Sequence, residues 1–212
     1  MIALLSVFWI PAGSVGKGEN IMAIKTFTSG EVLTSADTNT YLANSGLVYI
    51  AEGSTSTSVL GLNFNNVFTS TYDNYRIMID YFKPVTAARF VALQLRVSGA
   101  DTATNYYYAQ TGIYTDGTST NNVATAASFV DTGIYNSSNT FELNSATIDI
   151  FAPKKTEKTF FNINSSLFDS KFGTRVGMAE HDIATSFDGF SLYTNGGNMT
   201  TLRCKIYGYR QA

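Results

Sequence analysis

The chain has 212 residues, 44% of them apolar and only 14% charged, with a net charge of −2. That length fits one domain able to bury a core without disulfides or metals, and the apolar content excludes a disordered tail. No run of Lys or Arg stands out, which excludes an electrostatic footprint for nucleic acid, and the single cysteine excludes a disulfide framework.

Charged residues usually make up about 25% of a globular chain, so the polar surface here must come from Ser, Thr, Asn, Gly and Tyr. The 13 Tyr and 15 Phe suit pleated sheets better than helices. Tyr and Asn also provide contact area and hydrogen bonds at little entropic cost, as adhesive surfaces require.

Residues 2–10 are apolar but too short to span a bilayer, which needs roughly 20 residues, and no basic segment precedes them as in an export signal. Lys17-Gly18-Glu19 can be encoded AAA-GGA-GAA, which contains a ribosome-binding sequence a short spacer before Met22. Translation is therefore expected to begin at Met22, with residues 1–21 an extension read from the gene's leader and not part of the fold.

Residues 22–46 form a separate segment. Thr34 with Asp37 three residues on has the pattern of a capping box, Leu33 precedes it as a staple, and Asn44-Ser45-Gly46 tolerates a left-handed helix end. The pattern predicts one short helix over 35–44. Leu33, Tyr41 and Leu42 are too few apolar residues for so short a helix to stand alone, so this segment must dock onto something.

From residue 47 onward the pattern is strand-length alternation broken by turn clusters. Ten strands are predicted, at 47–52, 59–65, 75–83, 90–98, 106–114, 146–152, 158–167, 173–181, 190–194 and 202–209. Turns are expected at 52–58, 98–105, 115–122, 136–140 and 195–200, with Asp116-Gly117 and Asn195-Gly196 as tight hairpin turns. Val91, Leu93, Leu95 and Val97 alternate with Ala92, Gln94 and Arg96, the pattern of a strand buried on one face. No long helical period follows residue 46. The expected fold class is all-β, an antiparallel sandwich of jelly-roll type over 47–212, preceded by the short N-terminal segment with its one helix. Absence of heptads, triplets and repeats excludes a fibrous shaft; a tip or knob fits.

Catalytic equipment is sparse. The one histidine, His181, lies between Glu180 and Asp182, which on a strand share the face His181 does not, so the three cannot converge on a metal. It is expected to be a partly exposed imidazole at a strand end. Gly-x-Ser-x-Gly is absent, and Gly196-Gly197 lacks the Lys and helix of a phosphate loop. Asp80, Asp131, Glu142, Asp149 and Asp188 offer carboxylates for polysaccharide cleavage, but no spacing singles out a pair, and most read as solvent-facing. The expectation is no enzyme, no metal and no cofactor. Cys204, in an apolar run, is expected in the core. The run Tyr106-Tyr107-Tyr108, with Tyr114 and Asp116 near a turn, is the candidate contact surface: Tyr106, Tyr108, Tyr114 and Asp116 could stack on and hydrogen-bond to sugars or protein. The alternative, favoured by alternation, is that these tyrosines pack on both faces of one strand.

Two stretches carry a resemblance. Phe27-Thr-Ser-Gly-Glu-Val-Leu33-Thr-Ser-Ala-Asp37-Thr-Asn-Thr-Tyr41-Leu42 resembles the N-terminal segments of tail fibres and other virion proteins of tailed phages, notably marine and cyanobacterial ones. Phe68-Thr-Ser-Thr-Tyr72-Asp73-Asn74-Tyr75-Arg76-Ile77, followed by Leu93-Gln-Leu-Arg-Val-Ser-Gly99, resembles a sandwich module of phage structural proteins, with the two blocks on neighbouring strands. Together they cover about a third of the chain. The resemblance implies a virion structural protein. Its N-terminal segment would attach to other virion proteins through Phe27, Leu33, Tyr41 and Leu42. Its β-domain would project outward, commonly as a homotrimer, and contact a host-surface glycan or protein without membrane insertion. A tail fibre or tail-tip component is the leading expectation. A capsid decoration or head-fibre protein is the alternative within the virion, and a polysaccharide depolymerase or a secreted lectin the alternatives outside that class.

Overall fold

The computed structural model describes residues 28–32, 34–35, 46–137, 140 and 144–210. Apart from Thr34 and Ser35, the predicted helix at 35–44 and its cap lie outside the described residues, as do residues 1–21 and the attachment residues Phe27, Leu33, Tyr41 and Leu42. The chain divides into two compact units, Met1–Ser45 with Ala212, and Gly46–Gln211. In the first, Thr28–Glu31 form a turn in which the Glu31 N–H donates to the Thr28 carbonyl at 3.1 Å. The Glu31 carboxylate accepts the Thr28 N–H in return, at 3.2 Å.

The second unit is all-β. Its first strands are β1 (Leu47–Thr55), β2 (Gly61–Phe64), β3 (Asn74–Pro84), β4 (Arg89–Val97) and β5 (Ala100–Asp101). Then come β6 (Tyr106–Tyr114), β7 (Ser119–Ala127), β8 (Val130–Asn136) and β9 (Ala146–Phe151). The last are β10 (Thr159–Phe168), β11 (Phe172–His181), β12 (Gly189–Thr194) and β13 (Met199–Tyr209). All ten predicted strands are present within a few residues. β5, β7 and β8 are additional, and β7 begins inside the predicted turn at 115–122.

Hydrogen bonding links the strands in the order β1-β13-β3-β9-β10-β8-β4-β12-β2, with β11, β6 and β7 continuing from the other edge of β10. β10 is where the path turns. Its residues 160–165 pair with β9, and then Leu167 and Phe168 pair in parallel with Tyr135 and Asn136 of β8. At the far ends β1 and β2 approach closely, and a Cβ on Gly53 would lie 2.6 Å from the Phe64 ring. The path is thus a nearly closed, barrel-like sheet.

Inward residues fill it. Leu202, Cys204 and Ile206 of β13, Ile77 and Ile79 of β3, Ile148 and Ile150 of β9, and Phe161 and Ile163 of β10 alternate into one core. Cys204 is fully buried, as expected, and burial pushes its thiol well above the ordinary range. Phe190 stacks on Phe64 (centroids 4.8 Å apart) and on Phe68 (5.7 Å), and Phe68 packs against Tyr75 at 4.7 Å. The Tyr75 hydroxyl accepts the Thr69 N–H at 2.7 Å and donates to the Thr69 carbonyl at 2.8 Å, pinning the loop before β3.

Several expectations are corrected. β4 is buried on both faces, since Gln94 and Arg96 are covered and only Val97 at its end is exposed. Gln94 donates to the Ser128 carbonyl, and Arg96 holds Asn65, Asp101 and the Gly99 carbonyl around the β4–β5 turn. The two resemblance blocks sit on β3 and β4, which do not pair; β9, β10 and β8 lie between them on the path. Asp116-Gly117 does form the β6–β7 hairpin turn, with Gly117 at φ 84°. Asn195-Gly196 does not make a hairpin, because β12 and β13 pair with other strands; instead the Asn195 side chain accepts the Phe90 N–H at 2.8 Å.

Candidate functional site

Strand register aligns outward side chains into rows across six strands. One row runs Arg76, Asp149, Asn162, Met178, Ala109, Val123, from β3 through β9, β10, β11 and β6 to β7. The next runs Met78, Thr147, Asn164, Val176, Thr111, Asn121. The face is therefore graded. Its β3–β9–β10 half carries amides, hydroxyls and one ion pair, and its β11–β6–β7 half carries exposed apolar side chains, with Met178 64% and Val123 68% exposed.

At the junction lies a shallow trough of about 550 Å³, lined by Arg76, Thr147, Asp149, Asn162, Asn164, Val176 and Met178. A smaller hollow of about 290 Å³ adjoins it at Met178, between Phe160, Tyr107 and Tyr108. Arg76 grips Asp149 in a two-pronged pair, Nε to Oδ1 at 2.7 Å and Nη2 to Oδ2 at 2.8 Å, and the Tyr209 hydroxyl donates to Oδ1 at 2.7 Å. Burial opposes the Asp149 charge, but the Arg76 and Tyr209 hydrogen bonds outweigh it and hold the carboxyl below its ordinary value. Burial, then the same hydrogen bond and the Asp149 charge, push the Tyr209 hydroxyl up to about 12. The trough thus presents a self-neutralised pair beside a ladder of neutral amides and hydroxyls.

The tyrosines singled out from sequence are not brought together. Tyr106 is fully buried, a correction to its candidacy as a contact residue. Its ring packs on His181, and its hydroxyl accepts the Leu95 N–H at 2.8 Å and donates to the Thr102 carbonyl at 2.9 Å. Tyr108 is partly exposed and lines the smaller hollow. Tyr114 and Asp116 sit at the opposite end of β6, roughly 25 Å along the strand from Tyr106. There Lys171 pairs with Asp116 and lies over the Tyr114 ring, 5.4 Å from its centroid. That lysine and Thr118 hold the Asp116 carboxyl well below the ordinary range. Asn162, Asn164, Val176 and Met178 were missed, although Asn alternating with Phe161 and Ile163 is itself the signal of an outward polar ladder.

Two buried polar groups lie behind this face. Asp131 is only 3% exposed, a correction to its reading as solvent-facing. Its carboxylate accepts the Gly133 N–H at 2.8 Å and the Asn122 amide at 2.6 Å, while Arg175 Nη1 stands 3.7 Å away. Gln110 donates to the Asp131 carbonyl, so this cluster ties β6, β7 and β11 to β8.

His181 is likewise buried, 1% exposed, not the partly exposed imidazole expected. Its ring is wedged between Tyr106 and Phe187, each 5.0 Å away. The nearby Ile183 carbonyl, 3.0 Å from Nδ1, places the proton there, and buried Nε2 has no partner among the described residues. Burial lowers the His181 pKa below its ordinary 6.5, against raising effects of Ile183 and Asp182. A depressed histidine lends stability that is fully present above the unfolded-state value and is lost as pH falls through it toward the folded value. Urea midpoints are therefore expected to drop between pH 7 and pH 5 in the wild type, and His181→Gln is expected to flatten that part of the profile.

Among the described residues no three His, Cys, Asp or Glu side chains converge as metal ligands. No known protein family, curated protein or solved structure matches the chain. What the face can do chemically follows from its side chains alone: donate and accept hydrogen bonds from neutral groups, and cover apolar surface.

Proposed function

We propose that this chain is a non-enzymatic structural protein of a tailed-phage virion, a tail-fibre or tail-tip component whose β-domain binds a host-surface glycan. The observation that carries the reading is the trough between β9, β10 and β11, where exposed Asn162 and Asn164 stand beside Thr147 and the neutralised Arg76–Asp149 pair, with Val176 and Met178 as an apolar wall. A sugar ring has the matching chemistry, with hydroxyls around its edge and C–H groups on its face. Open, shallow sites of this kind bind weakly one at a time. Several copies on one particle would raise the avidity, because linked sites meet their targets at millimolar effective concentration.

In this reading residues 22–46 attach the chain to other virion proteins, and the barrel-like sheet is a flattened sandwich of jelly-roll type that projects from the particle. The resemblance supplies the virion context and a homo-oligomer of three copies; the trough supplies the binding role.

The double variant Asn162→Ala/Asn164→Ala tests it. Both side chains point outward and are exposed, so the melting temperature is expected to stay within a degree or two of wild type. Binding to host cells or their purified surface polysaccharide is expected to weaken by about 2 kcal/mol, roughly thirtyfold in Kd. Undiminished binding by the variant would place the contact elsewhere, and failure of the wild type to bind host surface would remove the tail role.

A further inference from the structure

The trough does not end at Asn162 and Asn164. Phe160, Asn162, Asn164, Ser166 and Phe168 take alternate, outward positions along β10. From Phe160 to Phe168 that row runs roughly 25 Å. Two hollows prolong the trough along it. The one that joins at Met178 is walled by Phe160 and Tyr107. The other, of about 260 Å³, joins at Thr147 and Asn164 and is lined by Ser145, Ser166 and Thr174. Past these hydroxyls comes Phe168, whose ring packs on Phe172 with centroids 5.1 Å apart. Phe160 and Phe172 are both exposed, so each end of the row shows an aromatic ring to solvent.

The strands beneath limit what can lie there. β9, β10 and β11 each pair on both sides, so their backbone groups are spent on the sheet. A peptide cannot add itself as a further strand, which requires an open edge. Recognition must therefore come from side chains.

Charge narrows the ligand further. Among the described residues, the cations beside the row are each held by a carboxylate: Arg76 by Asp149, Lys158 by Asp182 and Lys171 by Asp116. Glu180, level with Phe160 and Tyr107, adds a negative charge at the aromatic end. A phosphate-, sulfate- or uronate-bearing chain would find no uncommitted cation and would be repelled by Glu180. What remains complementary is a neutral polymer with hydroxyls at its edges and apolar C–H faces.

On the basis of the glycan-binding role above, we propose that the ligand is a neutral, linear polysaccharide lying lengthwise along β10. Its outer sugar rings stack on Phe160 and Phe172, and its hydroxyls bond between them to Asn162, Asn164 and Ser166. A disaccharide reaches only the polar middle of the row. A chain of several sugars reaches both aromatic ends, so affinity grows with length until the row is filled.

Host-surface polysaccharide is the probe, separated by anion exchange into neutral and acidic fractions and cut by partial hydrolysis into a ladder of lengths. The full chain is expected to bind the neutral fraction, at least roughly tenfold more tightly as long fragments than as disaccharide. Phe160→Ala and Phe172→Ala are each expected to weaken long-fragment binding by roughly tenfold and to leave disaccharide binding within about twofold. Both rings are exposed, so both variants are expected to fold. The length dependence of wild type keeps the test decisive should either fail to do so. Binding confined to the acidic fraction, equal affinity at every length, or long-fragment binding that neither substitution weakens would overturn the proposal and leave the glycan-binding role standing. Failure of wild type to bind either fraction would remove that role itself.

Discussion

Replacing Phe190 with alanine is expected to cost about 3–5 kcal/mol of folding stability. Phe190 is fully buried near the start of β12, which is paired on both sides, with β4 and β2. Its ring stacks on Phe64 and Phe68, and Phe68 in turn packs on Tyr75. These neighbours belong to β2, the loop after it and β3, each held by its own hydrogen bonds, so the cavity left by truncation cannot readily collapse. Phe160→Ala is the control. Phe160 is 44% exposed on the outer face, and its loss is expected to cost under about 1 kcal/mol. Urea unfolding of both variants checks the contrast, and a Phe190→Ala loss no larger than that of Phe160→Ala would refute this packing.

The second large effect is a difference between two substitutions at one buried residue. Asp131→Ala is expected to cost about 3 kcal/mol, because the Gly133 N–H and the Asn122 amide both lose their acceptor inside the fold. Asp131→Asn is expected to cost less, about 1–2 kcal/mol, since its one amide oxygen still accepts the Gly133 N–H while its NH2 group requires the Asn122 amide to turn over and accept. The charge itself is not what stabilises. Burial raises the Asp131 pKa above the ordinary value, more than Gly133, Arg175 and Asn122 lower it. A carboxyl raised in the folded state binds its proton more tightly there. Its contribution to stability is therefore full below the unfolded value and declines as pH rises through the folded one. The 3.7 Å separation from Arg175 Nη1 agrees with a loose ion pair. Equal losses for the two variants in urea titrations would show instead that the ion pair dominates.

Sequence alternation located the strands that bury one face. In β13, β9 and β10, large apolar residues occur at every second position, and the structure turns those positions inward. β7 escaped because Ser119-Thr-Asn-Asn reads as a turn; it is a strand through its pairing with β6, which no local pattern records. β8 escaped because Asp131, Thr132 and Gly133 interrupt any apolar period, yet all three are buried, Asp131 and the Gly133 N–H in the polar cluster and Thr132 against the Val91 carbonyl. β4 looked one-faced because Gln94 and Arg96 are polar, but the Ser128 carbonyl and the β4–β5 turn cover them. Three consecutive tyrosines left open which parity faces inward; it is that of Tyr106 and Tyr108, and Tyr106 is fully buried. The trough was the least legible feature. It depends on register across β3, β9, β10 and β11, and its ion pair joins Arg76 to Asp149, 73 residues apart.

The central claim, that this chain is a tail component of a phage particle, is tested most directly by cryo-electron microscopy of the virion whose genome carries the gene. The expected result is density for the β-domain at the tail, with residues 22–46 against a tail protein and the β9–β10–β11 trough facing outward. Copies arrayed over the capsid lattice would replace the tail assignment by capsid decoration. Absence of the chain from the particle would contradict the claim outright.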